Sequence, residues 1–375
     1  MLRYPLFEAY PGLAARLPRL ALGLFPTPVA RLERAGELLG APELFVKRDD
    51  LSSPVYGGNK VRKLELLLAQ ALRQGKRSVV TAGAAGSNHV LATLLHARRL
   101  GLPGEALLLD QPPAAYVRRN LLLDLETGAR LVHVPSAALL PPYIAWSMRG
   151  RFLGGLDRPF FITLGGSNPL SCIGYVNAAF ELKEQVEAGL LPEPDFLFVA
   201  LGTLGTASGL ELGLRLAGMR TRVVGVAVVG RWACNARRWA GMIQRTACLL
   251  HGLDPSVPLI KVEPGELEVV HEMLGAGYAH FTEEGMEAVR LMREAEGIEL
   301  DGTYTGKTFA GLARMVRETG LQGKRLLYWH TLNSVKLQPR KADHRLLPAP
   351  FHRYFDGRPR EADEEIPEGG MGQGR

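Results

Sequence analysis

The stretch FVALGTLGTASGLELGLRLA, Phe198 to Ala217, decides the fold of this chain. An apolar run of four residues passes into a turn where glycines alternate with threonine and serine, and a helical pattern then begins. A buried strand that turns through small residues into a helix is the repeating unit of parallel α/β sheets. Because such a turn frees backbone N–H groups at the start of a helix, the stretch also predicts a cradle for a phosphate.

The motif predicts which kind of phosphate this turn would bind. The turn lacks the Gly-Lys-Ser/Thr of a Walker loop and the G-x-G-x-x-G spacing of dinucleotide sites. A small phosphorylated cofactor therefore suits it better than ATP or NAD.

Further strand, turn and helix patterns extend this unit along the chain. The β-rich runs are SVVTAGA, EALLLDQ, ARLVHVP, PFFITLGG, DFLFVALG, RVVGVAVVG and RLLYWHT. This alternation predicts right-handed βαβ units, with twisted, mainly parallel sheets and helices on both faces. So many strands exceed a sheet of ordinary size, so we expect an α/β protein of two lobes with a ligand between them.

Two crossings between the lobes divide the sequence into domains. The first follows Lys60, and the second lies around LGGSNPLSCIGY, Leu164 to Tyr175. We expect a large domain of residues 1–64 and 168–350, with a small domain of residues 65–167 inserted in it. Residues 357–375 are polar and rich in glycine, with almost no apolar anchors, which predicts a disordered tail.

Composition excludes several classes of protein. The 375 residues are 46% hydrophobic and 22% charged, as in a globular protein. No apolar run reaches the roughly 20 residues of a membrane helix, and no secretory signal opens the sequence, so we expect a cytoplasmic protein without a membrane partner. The net charge of +7 is scattered, which favours anionic small ligands over nucleic acid. Cys172, Cys234 and Cys248 lack CxxC spacing, which predicts buried free thiols and neither disulfides nor a metal.

Two other segments carry side chains suited to chemistry. GGNK places Lys60 after small residues at the start of a helix, where a partly desolvated amine can condense with a carbonyl; a solvated surface lysine is the alternative. Within TAGAAGSNHVLATLLHARRLG, Ser87 or Asn88 opens a helix at the end of a strand, and helix capping is compatible with ligand contact. An imine-forming lysine, a phosphate cradle and a cleft between lobes together describe a site for pyridoxal 5′-phosphate.

Six motifs, in one order, resemble those of a known family. They are KRDDLSSPVYGGNKVRKLE, GSNHVLAT, LGGSNPLSCIGYVNAAFEL, GTLGTASGL, EAEGIELDGTYTGKTFAGL and WHT. The sequence from about Phe25 to Thr331 resembles the 1-aminocyclopropane-1-carboxylate deaminase / D-cysteine desulfhydrase family, within the fold-type II (tryptophan synthase β-like) pyridoxal phosphate enzymes. The resemblance implies a two-lobed fold and a homodimer.

The resemblance also implies roles for single residues on the cofactor. Lys60 would bind the cofactor covalently and move protons at the α-carbon of the substrate. Asn88 would bond the phenolic oxygen of the cofactor, and Lys63 matches a lysine that contacts the phosphate, although a solvated helix charge is its alternative. The residues that match the phosphate loop are Gly202, Thr203, Leu204, Gly205 and Thr206.

On the substrate side, the family pattern places Ser87 near the carboxylate and the α-carbon. Tyr278 and Tyr304 match two tyrosines that crowd the substrate, and the alternative for Tyr278 is that it caps an apolar cluster. These side chains are expected to vary with the substrate more than the lysine does.

Two departures from the family pattern bear on the reaction. Thr305 stands where family deaminases carry a glutamate, and a hydroxyl of Thr305 or Thr331 can only donate to a neutral ring nitrogen. Opening a cyclopropane needs the strongest electron sink, whereas loss of a thiolate needs less, so Thr305 favours the desulfhydrase branch. WHTLNS replaces two glycines that usually follow His-Thr, so Leu332 and Asn333 add bulk beside the ring.

We therefore expect a pyridoxal phosphate-dependent lyase or deaminase. It would act on a small amino acid by α-proton abstraction and β-elimination, giving ammonia and a 2-oxo acid. The alternatives at the same site are β-replacement, dehydration of a hydroxy amino acid, racemisation and deamination of aminocyclopropane carboxylate. Two alternatives of other classes are a cofactor-binding protein with little catalysis and a nucleotide-binding α/β protein.

Overall fold

The computed structural model describes residues 3–149, 158–340 and 343–356. The tail predicted for residues 357–375 lies outside the described residues. The strands of the described ranges are β1 Val29–Arg31, β2 Leu44–Arg48, β3 Val79–Ala84, β4 Gly104–Leu109, β5 Arg130–Val134, β6 Phe160–Ile162, β7 Phe196–Leu201, β8 Arg222–Ala227, β9 Glu268–Val270 and β10 Leu326–His330. The α-helices are α1 Pro5–Ala9, α2 Glu33–Leu39, α3 Lys60–Arg73, α4 Asn88–Arg99, α5 Ala115–Glu126, α6 Leu140–Ser147, α7 Pro169–Glu187, α8 Gly205–Leu216, α9 Ala236–Leu253, α10 Glu283–Glu296 and α11 Thr305–Thr319.

The strands form two sheets. The larger has the order β1-β2-β10-β7-β8-β9, and the smaller has the order β5-β4-β3-β6. All neighbouring strands are parallel except β1 and β2. Every β-rich run of the sequence forms one of these strands, and the α/β class is confirmed. The chain leaves the larger sheet after β2, passes through α3 into the smaller sheet, and returns through α7. The residue boundaries of the domains stay predictions.

Strand β7 shows how the larger sheet buries both faces. Leu197, Val199 and Leu201 enter one hydrophobic cluster with helices α7 to α9, whereas Phe198 enters another with α10 and α11. This alternation follows the two-residue period of a strand. Helices therefore cover both faces, as expected.

The chain returns to the smaller sheet near its C-terminus. Two short 3₁₀ helices, His344–Leu346 and Ala349–Tyr354, follow β10. Leu347, which lies between these helices, and Phe351 of the second helix are buried in the cluster that contains Val90 of α4. This segment therefore packs on the layer that carries α4 and α5.

The cysteines correct one expectation. Cys172 and Cys234 are buried free thiols, but Cys248 is exposed. Helix α9 buries Ile243 and Ala247 against the core, and Cys248 lies one residue past this face. Within the described ranges, no helix has the length and apolar character needed to cross a membrane.

Candidate active site

A cavity of about 290 Å³ lies where the carboxyl ends of strands from both sheets meet. All but one of the predicted site residues line it. Those lining it are Lys60, Lys63, Ser87, Asn88, Gly202, Thr203, Leu204, Gly205, Thr206, Tyr278, Tyr304 and Thr331. The exception is Thr305.

Lys60 is the first residue of α3, and the two glycines before it permit its tight approach. Gly58 has a φ of +82°, and a Cβ there would lie 2.7 Å from the carbonyl oxygen of Thr331. The Nζ of Lys60 donates to Oδ1 of Asn59 at 2.8 Å, while Nδ2 of Asn59 donates to Oγ1 of Thr206 at 3.0 Å. The two contacts hold the lysine amine beside the turn that begins α8.

The environment of Lys60 favours its neutral form. Burial lowers the pKa of Lys60 well below its ordinary 10.5, and the nearby ammonium of Lys63 lowers this pKa further. A neutral amine is the form that attacks a carbonyl. Lys60 therefore has the chemistry that an aldehyde cofactor requires.

An anion site lies one helical turn from Lys60. Nζ of Lys63 donates to the carbonyl oxygen of Gly165 at 3.1 Å and to Oγ of Ser167 at 2.9 Å. Leu204 adopts a left-handed φ of +69°, which turns the chain into α8 at Gly205. A Cβ at Gly205 would lie 2.5 Å from Ser167 Oγ and 3.1 Å from Lys63 Nζ, so a side chain there would fill the space.

A buried ammonium such as that of Lys63 is stabilised by a bound anion. Lys63 is buried and forms no ion pair with a carboxylate of the described residues, and burial lowers the pKa of Lys63 to about 8. Ser167 was not among the predicted site residues. Its position directly after the two glycines of the LGGSNP motif is the sequence feature that could have identified it.

Asn88 presents its amide nitrogen to the cavity. Its Oδ1 accepts from the hydroxyl of Tyr56 at 3.0 Å and from Nδ2 of Asn120 at 3.1 Å. Since both donors are on the oxygen, they assign the orientation of the amide, whose nitrogen meets no acceptor among the described residues. This free donor suits a phenolic oxygen.

Ser87 caps α4. Its Oγ accepts from the backbone nitrogen of Val90 at 3.4 Å. A Cβ at Gly83 would lie 2.9 Å from Ser87 Oγ, so the strand needs glycine there to make room for the serine. The capping interpretation and the cavity position of Ser87 are thus compatible.

Tyr278 and Tyr304 form a pair on the opposite side of the cavity. Their hydroxyl oxygens are 2.5 Å apart. Burial raises the pKa of both phenols, and that of Tyr304 lies well above its ordinary 10.0. Both therefore keep their protons near neutral pH and can serve as donors.

Thr305 does not face the cavity. It is buried at the start of α11, where its Oγ1 donates to Oδ2 of Asp301 at 2.8 Å and accepts from the backbone nitrogen of Asp301 at 2.7 Å. Of the two hydroxyls offered for the ring nitrogen, that of Thr331 lines the cavity. Asp301 also lines it and was missed, although an aspartate before a helix start is a typical capping signal.

His89 lines the cavity in its neutral form. Burial lowers its pKa well below 6.5, and the ammonium groups of Lys60 and Lys63 lower it further. Nε2 of His89 lies 2.9 Å from Oγ1 of Thr81, whose own hydroxyl donates to the carbonyl of Ile162. The ring of His89 is therefore not a cation in this site near neutral pH.

These residues fit pyridoxal phosphate group by group. The neutral amine of Lys60 suits its aldehyde, and the amide nitrogen of Asn88 suits its phenolic oxygen. Lys63, which pairs with no carboxylate in the described ranges, suits its phosphate. The glycine turn shares its cavity with Lys60 and Asn88, whose chemistry suits an aldehyde cofactor, and this argues against the nucleotide-binding alternative.

Comparisons with known proteins agree with this fit. The family model described as "Pyridoxal-phosphate dependent enzyme" matches residues 20–331. A D-cysteine desulfhydrase of Klebsiella pneumoniae is 36% identical over 301 residues, covering 79% of this chain and 88% of that protein. A putative 1-aminocyclopropane-1-carboxylate deaminase of Thermotoga maritima is 35% identical over 315 residues, covering 84% and 95%.

Solved structures share the fold. A crystal structure of an ACC deaminase homologue superposes with a TM-score of 0.75 at 32% identity, covering 88% of this chain and 95% of that one. O-ureido-L-serine synthase superposes with a TM-score of 0.57 at 19% identity, covering 84% and 90%, which shows the fold alone. This chain belongs to the family of pyridoxal phosphate-dependent enzymes, and pyridoxal phosphate is its cofactor.

Proposed function

We propose that this enzyme removes the α-proton of a small amino acid and eliminates its β-substituent, and that water hydrolyses the released enamine to ammonia and a 2-oxo acid. D-cysteine is the first candidate substrate. The observation that carries the proposal is the meeting of Lys60, Ser87 and the Tyr278–Tyr304 pair at one cavity. The names of the D-cysteine desulfhydrases among its relatives support the choice of substrate.

The residues of the cradle would hold and orient the cofactor. Lys63, Ser167 and the turn of residues 202–206 would bind its phosphate, and Asn88 would donate to its phenolic oxygen. Bound pyridoxal phosphate supplies an electron-withdrawing ring that stabilises negative charge at the α-carbon of the substrate. The hydroxyl of Thr331 would donate toward the ring nitrogen.

Lys60 would act as the base. Its lowered pKa keeps the amine able to take a proton near neutral pH, and Asn59 accepts from Nζ and so orients it. The α-proton moves to Nζ of Lys60, and Ser87 on the substrate side holds the carboxylate during this transfer.

The tyrosine pair would act as the acid. As the bond from the β-carbon to sulfur breaks, sulfur keeps the electron pair, and a hydroxyl of Tyr278 or Tyr304 donates the proton that makes hydrogen sulfide. The raised pKa values of both phenols keep that proton available. Because a thiolate leaves readily, this reaction does not need a carboxylate beside the ring nitrogen.

The test is an assay of products with purified enzyme and added cofactor. D-cysteine, L-cysteine, D-serine and aminocyclopropane carboxylate are supplied in turn, and sulfide, ammonia and 2-oxo acid are measured. We expect equal amounts of sulfide, ammonia and 2-oxo acid from D-cysteine, and a large loss of rate in Tyr304→Phe. Turnover of aminocyclopropane carboxylate alone would make the enzyme a deaminase, and bound cofactor without any turnover would make it a cofactor-binding protein.

The proposal extends to a cytoplasmic homodimer. The family resemblance supports the dimer, and Cys172 and Cys234, buried without a disulfide, support a reducing compartment. Sedimentation equilibrium of the loaded enzyme tests the dimer, which a mass of one chain would contradict.

A further inference from the structure

The C-terminal segment of residues 343–356 lies beyond the region that matches the family model, which ends at residue 331. Within this segment Tyr354 is only 2% exposed. Its hydroxyl accepts from the backbone nitrogen of Gln111 at 3.0 Å and donates to the backbone oxygen of Gln111 at 3.0 Å. The neighbouring Arg353 forms an ion pair with Asp110 at 2.5 Å, and Asp110 lines the cavity. The segment thus fixes the two residues that follow β4.

The side chain of Gln111 connects Tyr354 to the turn between β3 and α4, which contains Ser87. Its Oε1 accepts from the backbone nitrogen of Gly86 at 2.9 Å, directly before Ser87. The carbonyl oxygen of Gly86 accepts from Nδ2 of Asn120 at 2.9 Å. A Cβ at Gly86 would lie 2.8 Å from the ring of Tyr116, so the turn is closely packed.

The same glutamine reaches the tyrosine side of the cavity. Nε2 of Gln111 donates to the hydroxyl of Tyr116 at 2.7 Å, and that hydroxyl lies 3.4 Å from Oγ1 of Thr303. Thr303 directly precedes Tyr304, in a turn whose backbone nitrogens donate to Asp301. Gln111 is therefore connected to the turn of Ser87 directly, and to the turn of Tyr304 through Tyr116.

We propose that Gln111 and Tyr354 are positioning residues for substrate binding, and that the C-terminal segment thereby belongs to the active site of this enzyme. The inference rests on the proposed function, in which the substrate carboxylate binds at Ser87. The hydrogen bonds of Gln111 and Tyr354 do not include Lys60, Lys63, Ser167 or Asn88, the side chains proposed to hold the cofactor. Loss of these contacts should therefore weaken substrate binding without weakening cofactor binding.

The experiment compares three full-length variants, each prepared both loaded with cofactor and cofactor-free. Tyr354→Phe removes the hydroxyl, Gln111→Ala removes the bridge, and the double variant combines them. Ser147→Ala is the control, because it removes a buried hydrogen bond to Glu105 on the smaller sheet away from the cavity. The readouts are the hydrogen-exchange rate at the amide of Gly86, the affinity of the cofactor-free protein for pyridoxal phosphate, and KM and kcat for D-cysteine.

We expect both single variants to speed exchange at Gly86 and to raise KM by about five- to tenfold, with cofactor affinity unchanged. The double variant should add little to Gln111→Ala, because the two residues act through one path. Ser147→Ala should leave exchange at Gly86 and KM at wild-type values. Unchanged exchange at Gly86 in Tyr354→Phe, or equal effects in Ser147→Ala, would overturn the proposal.

The exchange readout separates this inference from the proposed function. If the wild-type enzyme does not turn over D-cysteine, the proposed function fails, but faster exchange at Gly86 in both single variants would still support the positioning path. If D-cysteine is turned over and neither KM nor exchange responds, the positioning role fails and the proposed function stands.

Discussion

At the residue scale, the charge of Lys63 makes phosphate binding depend on pH. Burial lowers the pKa of Lys63 from 10.5 to about 8. A lysine with a depressed pKa destabilises the folded protein below about pH 8, and this cost disappears as the pH rises from 8 to 10.5. Burial favours the neutral form of Lys63, whereas a bound phosphate favours the charged form because it attracts the ammonium group. The affinity for a phosphate ligand should therefore be highest below pH 8.

Pyridoxine 5′-phosphate tests this prediction, because it carries the phosphate but no aldehyde for Lys60. Calorimetric titration of cofactor-free protein should show an affinity that falls above pH 8, by up to about tenfold per pH unit. Lys63→Met should bind weakly with little pH dependence. An affinity of the wild type that rises between pH 8 and 10 would contradict this role of Lys63.

Thr305 and Thr331 should respond differently to loss of the hydroxyl. Thr305→Val removes bonds to Asp301, so it should lower the free energy of unfolding by about 1–3 kcal/mol. Thr331→Val removes a hydroxyl that lines the cavity, so it should lower kcat with a smaller change in stability. Urea unfolding and kcat of both variants provide the measurement. A larger loss of kcat in Thr305→Val than in Thr331→Val would indicate that Thr305, and not Thr331, donates to the ring nitrogen of the cofactor.

The sequence predicted the residues of the cavity where they belong to short motifs. Lys60, Lys63 and the turn of residues 202–206 are local patterns, and all of them line the cavity; their roles on the cofactor stay predictions. The orientation of Thr305 was not predictable, because it depends on capture of its hydroxyl by Asp301. The pairing of Gln111 with Tyr354 joins residues 243 positions apart, which no local pattern reveals.

At the scale of elements, a buried ionic network holds α3 against the larger sheet. Arg62 of α3 pairs with Asp49 at 2.8 Å and with Glu181 of α7 at 2.9 Å, and Glu181 pairs with Lys47 of β2 at 2.5 Å. Burial alone raises the pKa of Glu181, but Arg62 and Lys47 hold that pKa at about 2. The network fixes the helix that begins at Lys60.

Breaking this network should be costly. Glu181→Gln leaves two buried cations short of one partner charge, so we expect the free energy of unfolding to fall by about 3–5 kcal/mol. Glu43→Gln, in the exposed pair with Arg31, should cost less than about 1 kcal/mol. Urea unfolding of the loaded enzymes gives both values, and equal costs would show that burial of the network does not matter.

The network also sets a response to acid. Because the pKa of Glu181 is depressed from 4.5 to about 2, its stabilisation is present above pH 4.5 and is lost as the pH falls from 4.5 toward 2. Glu181→Gln should flatten this part of the stability profile.

The elements missed by sequence reasoning have physical causes. Strand β2 contains Lys47, whose charge is buried against a partner 134 residues away, so its sequence does not read as a buried strand. Strands β1 and β9 each have three residues and lie at the edges of the larger sheet. Their pairing depends on neighbours rather than on their own pattern.

At the scale of the whole molecule, the two sheets meet at one cavity, and each sheet supplies different residues to it. The larger sheet supplies the phosphate turn after β7 and Thr331 after β10, while the smaller supplies Ser87 and Asn88 after β3. Parallel strands place such turns at the same edge, which is why the βαβ pattern predicted the fold and a cavity between the two sheets. Lys60 starts the helix that joins the two sheets.

The most direct test of this account is the identification of the lysine that holds the cofactor. Purified enzyme with pyridoxal phosphate is reduced with borohydride, digested, and its peptides are weighed by mass spectrometry. We expect a pyridoxyl phosphate adduct on Lys60 that persists in Lys63→Met and is absent in Lys60→Ala. An adduct on another lysine, or none in the wild type with excess cofactor, would contradict it.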